Sequence, residues 1–289
     1  MDVMEESNTS GKASIKPRQM DFDMSLLREK YFYDGNPIIS TMMYAMSASF
    51  PDGERFFIES VRHYQKAIDD PELLAQIRGF IGQEAHHGRV HDDFNARAQE
   101  LGLAMDRIER RFKRRLDFVR KRLPPEQHLA ITAALEHMTA SLAQWTLESP
   151  EAGLAGKEHS PLQEILVWHA MEEIEHKAVA FDVYRSQVKD EKLRISTGKL
   201  VFRTFWVQVA IAQCILLWKD RKLPSLRHIR EAWDFMWGKN GFRRWADAQL
   251  KHYLEPGFHP NDIEQQHLLE HWESDFPEVA ELQLTGAAS

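Results

Sequence analysis

Apolar residues recur along most of the chain at the i, i+3, i+4, i+7 spacing that puts them on one face of an α-helix. Short helices are predicted over residues 24–33 and 38–47, separated by the Asn36-Pro37 break. A third starts near Pro51-Asp52-Gly53 and runs to Ile68, with Phe57, Ile58, Val61, Tyr64 and Ile68 as its stripe. Pro71 opens a long helix to Leu101, ended by Gly102, whose inward face reads Leu73, Ile77, Phe80, Glu84, His87, His91, Phe94 and Ala98. Met105 to Leu123 follows, with Ile108, Phe112, Leu116 and Val119 on one side. Pro124-Pro125-Glu126 starts a helix to Leu147 with the stripe Leu129, Thr132, Ala133, Glu136, Ala140, Ala143 and Leu147. After a loop over 148–160, one helix is expected from Pro161 to Tyr184 and a polar connector over 186–194. Further helices are predicted over 200–218, 226–236 and 242–253. The class is all-α.

Several of these stripes carry charge at their centres. Projected at about 100° per residue, Glu54 falls near the middle of the third helix's apolar face and Glu59 about 140° away, toward solvent. On the fourth, Glu84, His87 and His91 share the apolar face, whereas His86 projects to the opposite side. Glu136 is central on its stripe, with His137 about 100° off it. His169, Glu173 and His176, at i, i+4 and i+7, fall within about 60° of one another. Unpaired charges in an apolar core are costly, and a metal ion removes that cost. On any single helix, satisfied core histidines would explain the pattern as well. Four helices carrying Glu, Glu-x-x-His, Glu and Glu-x-x-His in order match the donor set of a ferritin-like dinuclear bundle, in which four carboxylates neutralise two divalent ions.

Composition narrows the chemistry. The single cysteine, Cys214, excludes an internal disulfide and a thiolate-rich metal site, so any site is built from His, Asp and Glu. A formal net charge of −7 argues against nucleic-acid binding. The polar N-terminus lacks a signal-peptide core and reads as a disordered tail over 1–23 of a cytoplasmic protein. It precedes a helical domain over 24–255 and an extension over 256–289. The apolar run from Phe205 to Trp218, at 14 residues, is short for a membrane span. A buried or homodimer-forming helix is expected there ahead of membrane insertion, with peripheral membrane contact left open. The arginines and lysines of 105–123 read as a solvated face, and Trp206, Trp218, Trp233, Trp237 and Trp245 as packing residues. His259, His267 and His271 read as surface or capping residues.

The segments FPDGERFF, IGQEAHHGRVH, ALEHMTA, WHAMEEIEHKAVAFDVY and YLEPGFHP resemble the ferritin-like family described as predicted metal-dependent hydrolases, from about residue 35 to 260. The resemblance implies Glu54, Glu84, His87, Glu136, Glu173 and His176 as metal ligands. His169, four residues before Glu173, is similar to the additional histidine of the di-iron arylamine N-oxygenases; His91 projects nearby as a further donor or a hydrogen-bonding neighbour. The expectation is a ferritin-like four-helix bundle with additional C-terminal helices. It would hold two metal ions, iron first and manganese or zinc as alternatives. Oxidation of an apolar or amine-bearing small molecule with O2 is the leading activity, and an oxygenase needs an electron donor. Hydrolysis at a dinuclear centre and non-catalytic metal or oxygen binding are the alternatives.

Overall fold

Short polar residues set the helix starts. Asn36 accepts hydrogen bonds from the Ile38 and Ile39 amides, and Pro37, whose missing N–H costs nothing at a first turn, opens α1 (Pro37–Ser47). Asp70 and Pro71 repeat the device at α3 (Pro71–Glu100), and Pro125 opens α5 (Pro125–Glu148). Between them lie α2 (Phe50–Tyr64) and α4 (Met105–Arg122). The others are α6 (Pro161–His176), α7 (Val179–Gln187), α8 (Glu191–Lys219), α9 (Leu226–Trp237), α10 (Phe242–Tyr253) and α11 (Gln266–Asp275). A computed structural model describes residues 15–149 and 161–275, and no strand occurs among them. The rest of the expected tail, loop and extension lies outside the described residues.

Helices α2, α3, α5 and α6 form the central bundle: α2 lies on α3, α5 on α6, and α2–α5 and α3–α6 contacts close it. The inward stripes expected on α3 and α5 are buried at every position. Alanines at 130, 133, 134, 140 and 143 on α5 are buried, and their small side chains let its neighbours approach closely. Around this bundle, α8 packs on α1 and α5, α10 on α5 and α9, and α11 on α6.

Several expectations are corrected. Only Met24–Leu26 of the 24–33 segment is helical, as one 3-10 turn. The helix expected to run unbroken from Pro161 to Tyr184 is interrupted at Lys177 and Ala178. There Lys177 sends its ammonium to the Ile263 carbonyl and the Gln265 side chain, 2.6 and 2.7 Å away. Asp190 caps the Leu193 amide and starts α8 within the expected connector, giving a 29-residue helix. One hydrophobic core contains Met20 as well as Phe258, Leu268 and Leu269.

The N-terminal chain is not free where it is described. It crosses α3 at two glycines: a Cβ on Gly79 would collide with Ile15, and one on Gly82 with Pro17. Arg18 is thereby carried into the protein and is 1% exposed. The tryptophans divide: Trp206 is buried, but Trp218, Trp233 and Trp237 are 69%, 65% and 42% exposed, so these three are not packing residues in the isolated chain.

Candidate metal centre

Seven of the eight residues singled out in the sequence converge between the four bundle helices. Donor atoms of Glu54, His87 and His169 lie within 4.8 Å of one another, as do those of Glu84, His87 and Glu173, and those of Glu84, Glu136 and His176. Glu84 and His87 each belong to two of these overlapping groups, so the cluster is continuous across the bundle. Glu59 is exposed and paired with Arg120, which makes Glu54 the inward glutamate of α2. Gly88 of α3 leaves room for it, since a Cβ there would stand 3.1 Å from Glu54 Oε2.

The cluster's polar atoms are poorly satisfied by the protein itself. Both carboxylate oxygens of Glu54, Glu84 and Glu136, Oε2 of Glu173, Nδ1 of His87 and Nε2 of His176 are buried without a hydrogen-bond partner. Leaving one such atom unpaired costs about 1–3 kcal/mol, more for a charged group. His176 Nε2 stands 3.2 Å from Glu84, 3.3 Å from Glu136 and 3.4 Å from Glu173 without hydrogen-bond alignment to any of them. A set of carboxylate and imidazole donors facing one point and lacking partners is what divalent ions satisfy, so these residues fit a metal site.

Electrostatics give the same picture. Burial raises the Glu54 and Glu84 carboxyls well above their ordinary range, and neighbouring glutamates add to the rise. Glu136 is raised to about 8 by burial, against the pull of His176. Burial also works against ionised Glu173, but His176 and His169 outweigh it and hold this carboxyl well below its usual value. Burial likewise disfavours a charged His176, yet Glu136 and Glu173 hold the imidazolium up to about 9.

Hydrogen bonds on the far side of each imidazole fix which nitrogen faces the cluster. His87 Nε2 donates to Glu172 Oε2 at 3.0 Å, which leaves Nδ1 facing inward. His176 Nδ1 donates to Gln83 Oε1 at 3.0 Å, while the Gln83 amide nitrogen donates to Glu175 and to the Lys16 carbonyl. His169 is set through a longer chain. Ser47 gives its hydroxyl proton to Asn95 Oδ1 at 2.8 Å, and its oxygen accepts from His91 Nδ1 at 2.9 Å. Burial, then the neighbouring imidazoles, keep His91 neutral, so its Nε2 accepts from His169 Nδ1 at 2.8 Å. His169 Nε2 is thereby aimed at Glu173 Oε1, 2.8 Å away. Of the two roles expected for His91, further donor or hydrogen-bonding neighbour, the geometry corresponds to the second: its ring nitrogens meet Ser47 and His169, and it belongs to none of the three donor groups.

Pattern reading missed Glu172 and Arg18. Glu172 is fully buried beside His87, and the Arg18 guanidinium reaches it at 3.2 Å and Glu175 at 2.9 Å. Next to the His169 end of the cluster lies a cavity of about 120 Å3 walled by Phe32, Met42, Met46, Phe50, Leu142 and Trp145, among others. His91, His169 and Glu173 face it, and none of its lining residues is lysine or arginine.

Histidines off the predicted faces stay out of the site. His137 packs against Tyr253 and donates to the Gln249 carbonyl at 3.2 Å. Burial lowers its pKa to about 4. The fold thus holds the neutral ring, and stability is lost as the pH falls through the ordinary histidine value of about 6.5 toward 4. Between pH 7 and 4.5, urea unfolding is expected to show a loss about 2.5 kcal/mol larger for the native chain than for His137→Gln. Equal losses would refute this role. His259 caps a 3-10 turn, as expected, and also pairs with Asp182 at 2.8 Å.

Among known proteins, no curated protein and no solved structure matches the chain. The family described as predicted metal-dependent hydrolase matches residues 16–264, a span that takes in Arg18, all four bundle helices and every residue of the cluster. With the clustered donors on four bundle helices and this match over most of its length, the chain belongs to the family of predicted metal-dependent hydrolases.

Proposed function

We propose that the chain is a dinuclear-metal enzyme that oxidises a small, uncharged and largely apolar molecule with O2. The supporting observation is the cavity beside His169 and Glu173: its walls are largely apolar and carry no lysine or arginine. Two iron ions, when bound, would supply the electrons that activate dioxygen. Glu54, His87, His169 and Glu173 would hold ions at one end of the cluster, Glu136 and His176 at the other, and Glu84 shares donor groups with both ends. The chain's residues then have distinct tasks. Phe50 packs against the rings of His91 and His169, with centroid distances of 4.6 and 5.3 Å, and gives that side of the site an apolar wall. Ser47, Asn95 and His91 hold the His169 ring in its tautomer, while Glu172 and Gln83 do the same for His87 and His176. An electron donor is required from outside.

Hydrolysis is the second reading, and the family's description supports it directly. The same donors would then carry ions that acidify water.

Anaerobically purified chain loaded with Fe(II) is expected to hold two irons and to take up O2 with formation of an oxidised product from apolar test substrates. Turnover of ester or amide substrates by the Zn(II) or Mn(II) form without O2 uptake would replace this reading with the hydrolytic one.

A further inference from the structure

Eleven large apolar residues are exposed among the described residues, and nine of them fall between Leu200 and Trp237. Scattered exposed leucines are ordinary on a soluble surface; this concentration in one stretch is not. On α8, Leu200, Val207, Ile211 and Trp218 project within about 60° of one another and run for about 27 Å along the helix. Beyond α8, Leu223 and Leu226 are 90% and 87% exposed, and Leu226, Ile229, Trp233 and Trp237 share one side of α9.

The opposite side of α8 is committed to the protein. Ala212 and Leu216 are fully buried where the helix packs on α1 and α5. Although α8 is long and apolar enough to cross a membrane, crossing would tear this inner face from the bundle. The exposed stripe is instead placed to lie along a surface.

Charge decides what that surface is. Between residues 199 and 237 there are seven lysines and arginines, all exposed, and three acids, of which Asp220 is already bonded to Lys30 and Tyr31 and Glu231 to Arg227. A net +4 in this stretch stands against −7 for the whole chain. Arg111 of the basic helix α4 bonds Gln208 at 2.9 Å, so the arginine-rich face of α4 flanks the same stripe. A two-fold dimer through this face would set two surfaces of the same net positive charge against each other. An anionic bilayer instead offers acyl chains for the leucines and isoleucines, an interface that tryptophan favours, and phosphates for the basic rim.

From this we infer that α8, the α8–α9 loop and α9 form a docking face for a membrane rich in anionic lipid, with the protein lying on the bilayer rather than spanning it. The inference does not depend on the chemistry of the metal centre.

Flotation of the full-length protein with vesicles of phosphatidylcholine alone, or of phosphatidylcholine with phosphatidylglycerol, tests it. The protein is expected to float with the anionic vesicles, with a blue-shifted tryptophan emission quenched by brominated lipid, and at least about tenfold less with the neutral ones. Arg221→Gln with Lys222→Gln is expected to weaken anionic binding about thirtyfold, and Trp218→Ser with Trp233→Ser by at least about tenfold, without loss of helicity or melting temperature. No flotation with either vesicle would overturn the inference, as would equal flotation with both. A concentration-dependent dimer that shields Trp218 and Trp233 and does not bind vesicles would assign the face to a second copy instead.

Discussion

Adding Fe(II), Mn(II) or Zn(II) to chelator-treated protein at pH 8 is expected to raise its melting temperature by about 8–16 °C, and by much less at pH 5. A ligand present at about a thousand times its Kd stabilises by about 4 kcal/mol, and each kcal/mol shifts a chain of roughly this size by about 2–4 °C. The pH dependence follows from the cluster. Glu54, Glu84 and Glu136 have pKa values raised above those of the unfolded chain, Glu136 to about 8. Their contribution to stability is full below about pH 4.5 and is lost as the pH rises through the folded values, because ionised carboxylates then face one another without partners. Metal supplies the missing charge at pH 8, whereas protons already do so at pH 5. Glu84→Gln is expected to raise the melting temperature of the chelated protein at pH 8 and to abolish the response to metal. Glu59→Gln should alter neither, since Glu59 sits outside the cluster on Arg120. Differential scanning calorimetry at the two pH values reads all of this, and a native chain indifferent to every divalent ion at pH 8 would remove the metal centre.

Arg18→Ala is expected to cost about 3–5 kcal/mol of stability, because it strands the buried Glu172 and removes a partner of Glu175. It is also expected to weaken metal binding about 10- to 100-fold, since Glu172 is what holds His87 in place. Arg18→Lys should recover only part of both, for an ammonium cannot span two carboxylates as the guanidinium does. Adding Glu172→Gln to Arg18→Ala removes the stranded charge and should restore stability more than affinity. Competition with a chelating dye, beside urea unfolding, separates the two effects. A variant that unfolds more easily but binds metal as tightly as the native chain would make Arg18 a packing anchor and nothing more.

Most of the bundle was legible because its residues sit at helical spacing on long helices, and so was the cluster. Glu84 and His87, or Glu173 and His176, announce themselves as polar residues on an otherwise apolar face, and projection alone separated Glu54 from Glu59. What escaped depends on segments that meet only in three dimensions. Glu172 projects about 100° from Glu173, toward what looked like solvent, and is buried because the N-terminal chain crosses there. Arg18 carries no periodic signal at all; its place is set by the two glycines of α3. His91 has the right projection for a ligand, and only its contacts with Ser47 of α1 and His169 of α6 show that its nitrogens are taken. The exposed tryptophans misled for the opposite reason: composition marks an aromatic residue as buried without saying what buries it. The true length of α8 was hidden by its polar first turns, although Asp190 carried the cap that starts it.

The repeated Glu-x-x-His motif makes the two halves of the centre look interchangeable in sequence, yet in space they are inequivalent. His87 presents Nδ1 and leans on the carboxylate of Glu172; His176 presents Nε2 and leans on the neutral amide of Gln83. An imidazole backed by an anion is the more electron-rich donor, and the nitrogen nearer its own backbone holds its partner closer to the helix. His169 adds a third imidazole on the His87 side only. The two ends of the cluster therefore differ in the number and the electron density of the imidazoles they offer, with the richer end next to the apolar cavity.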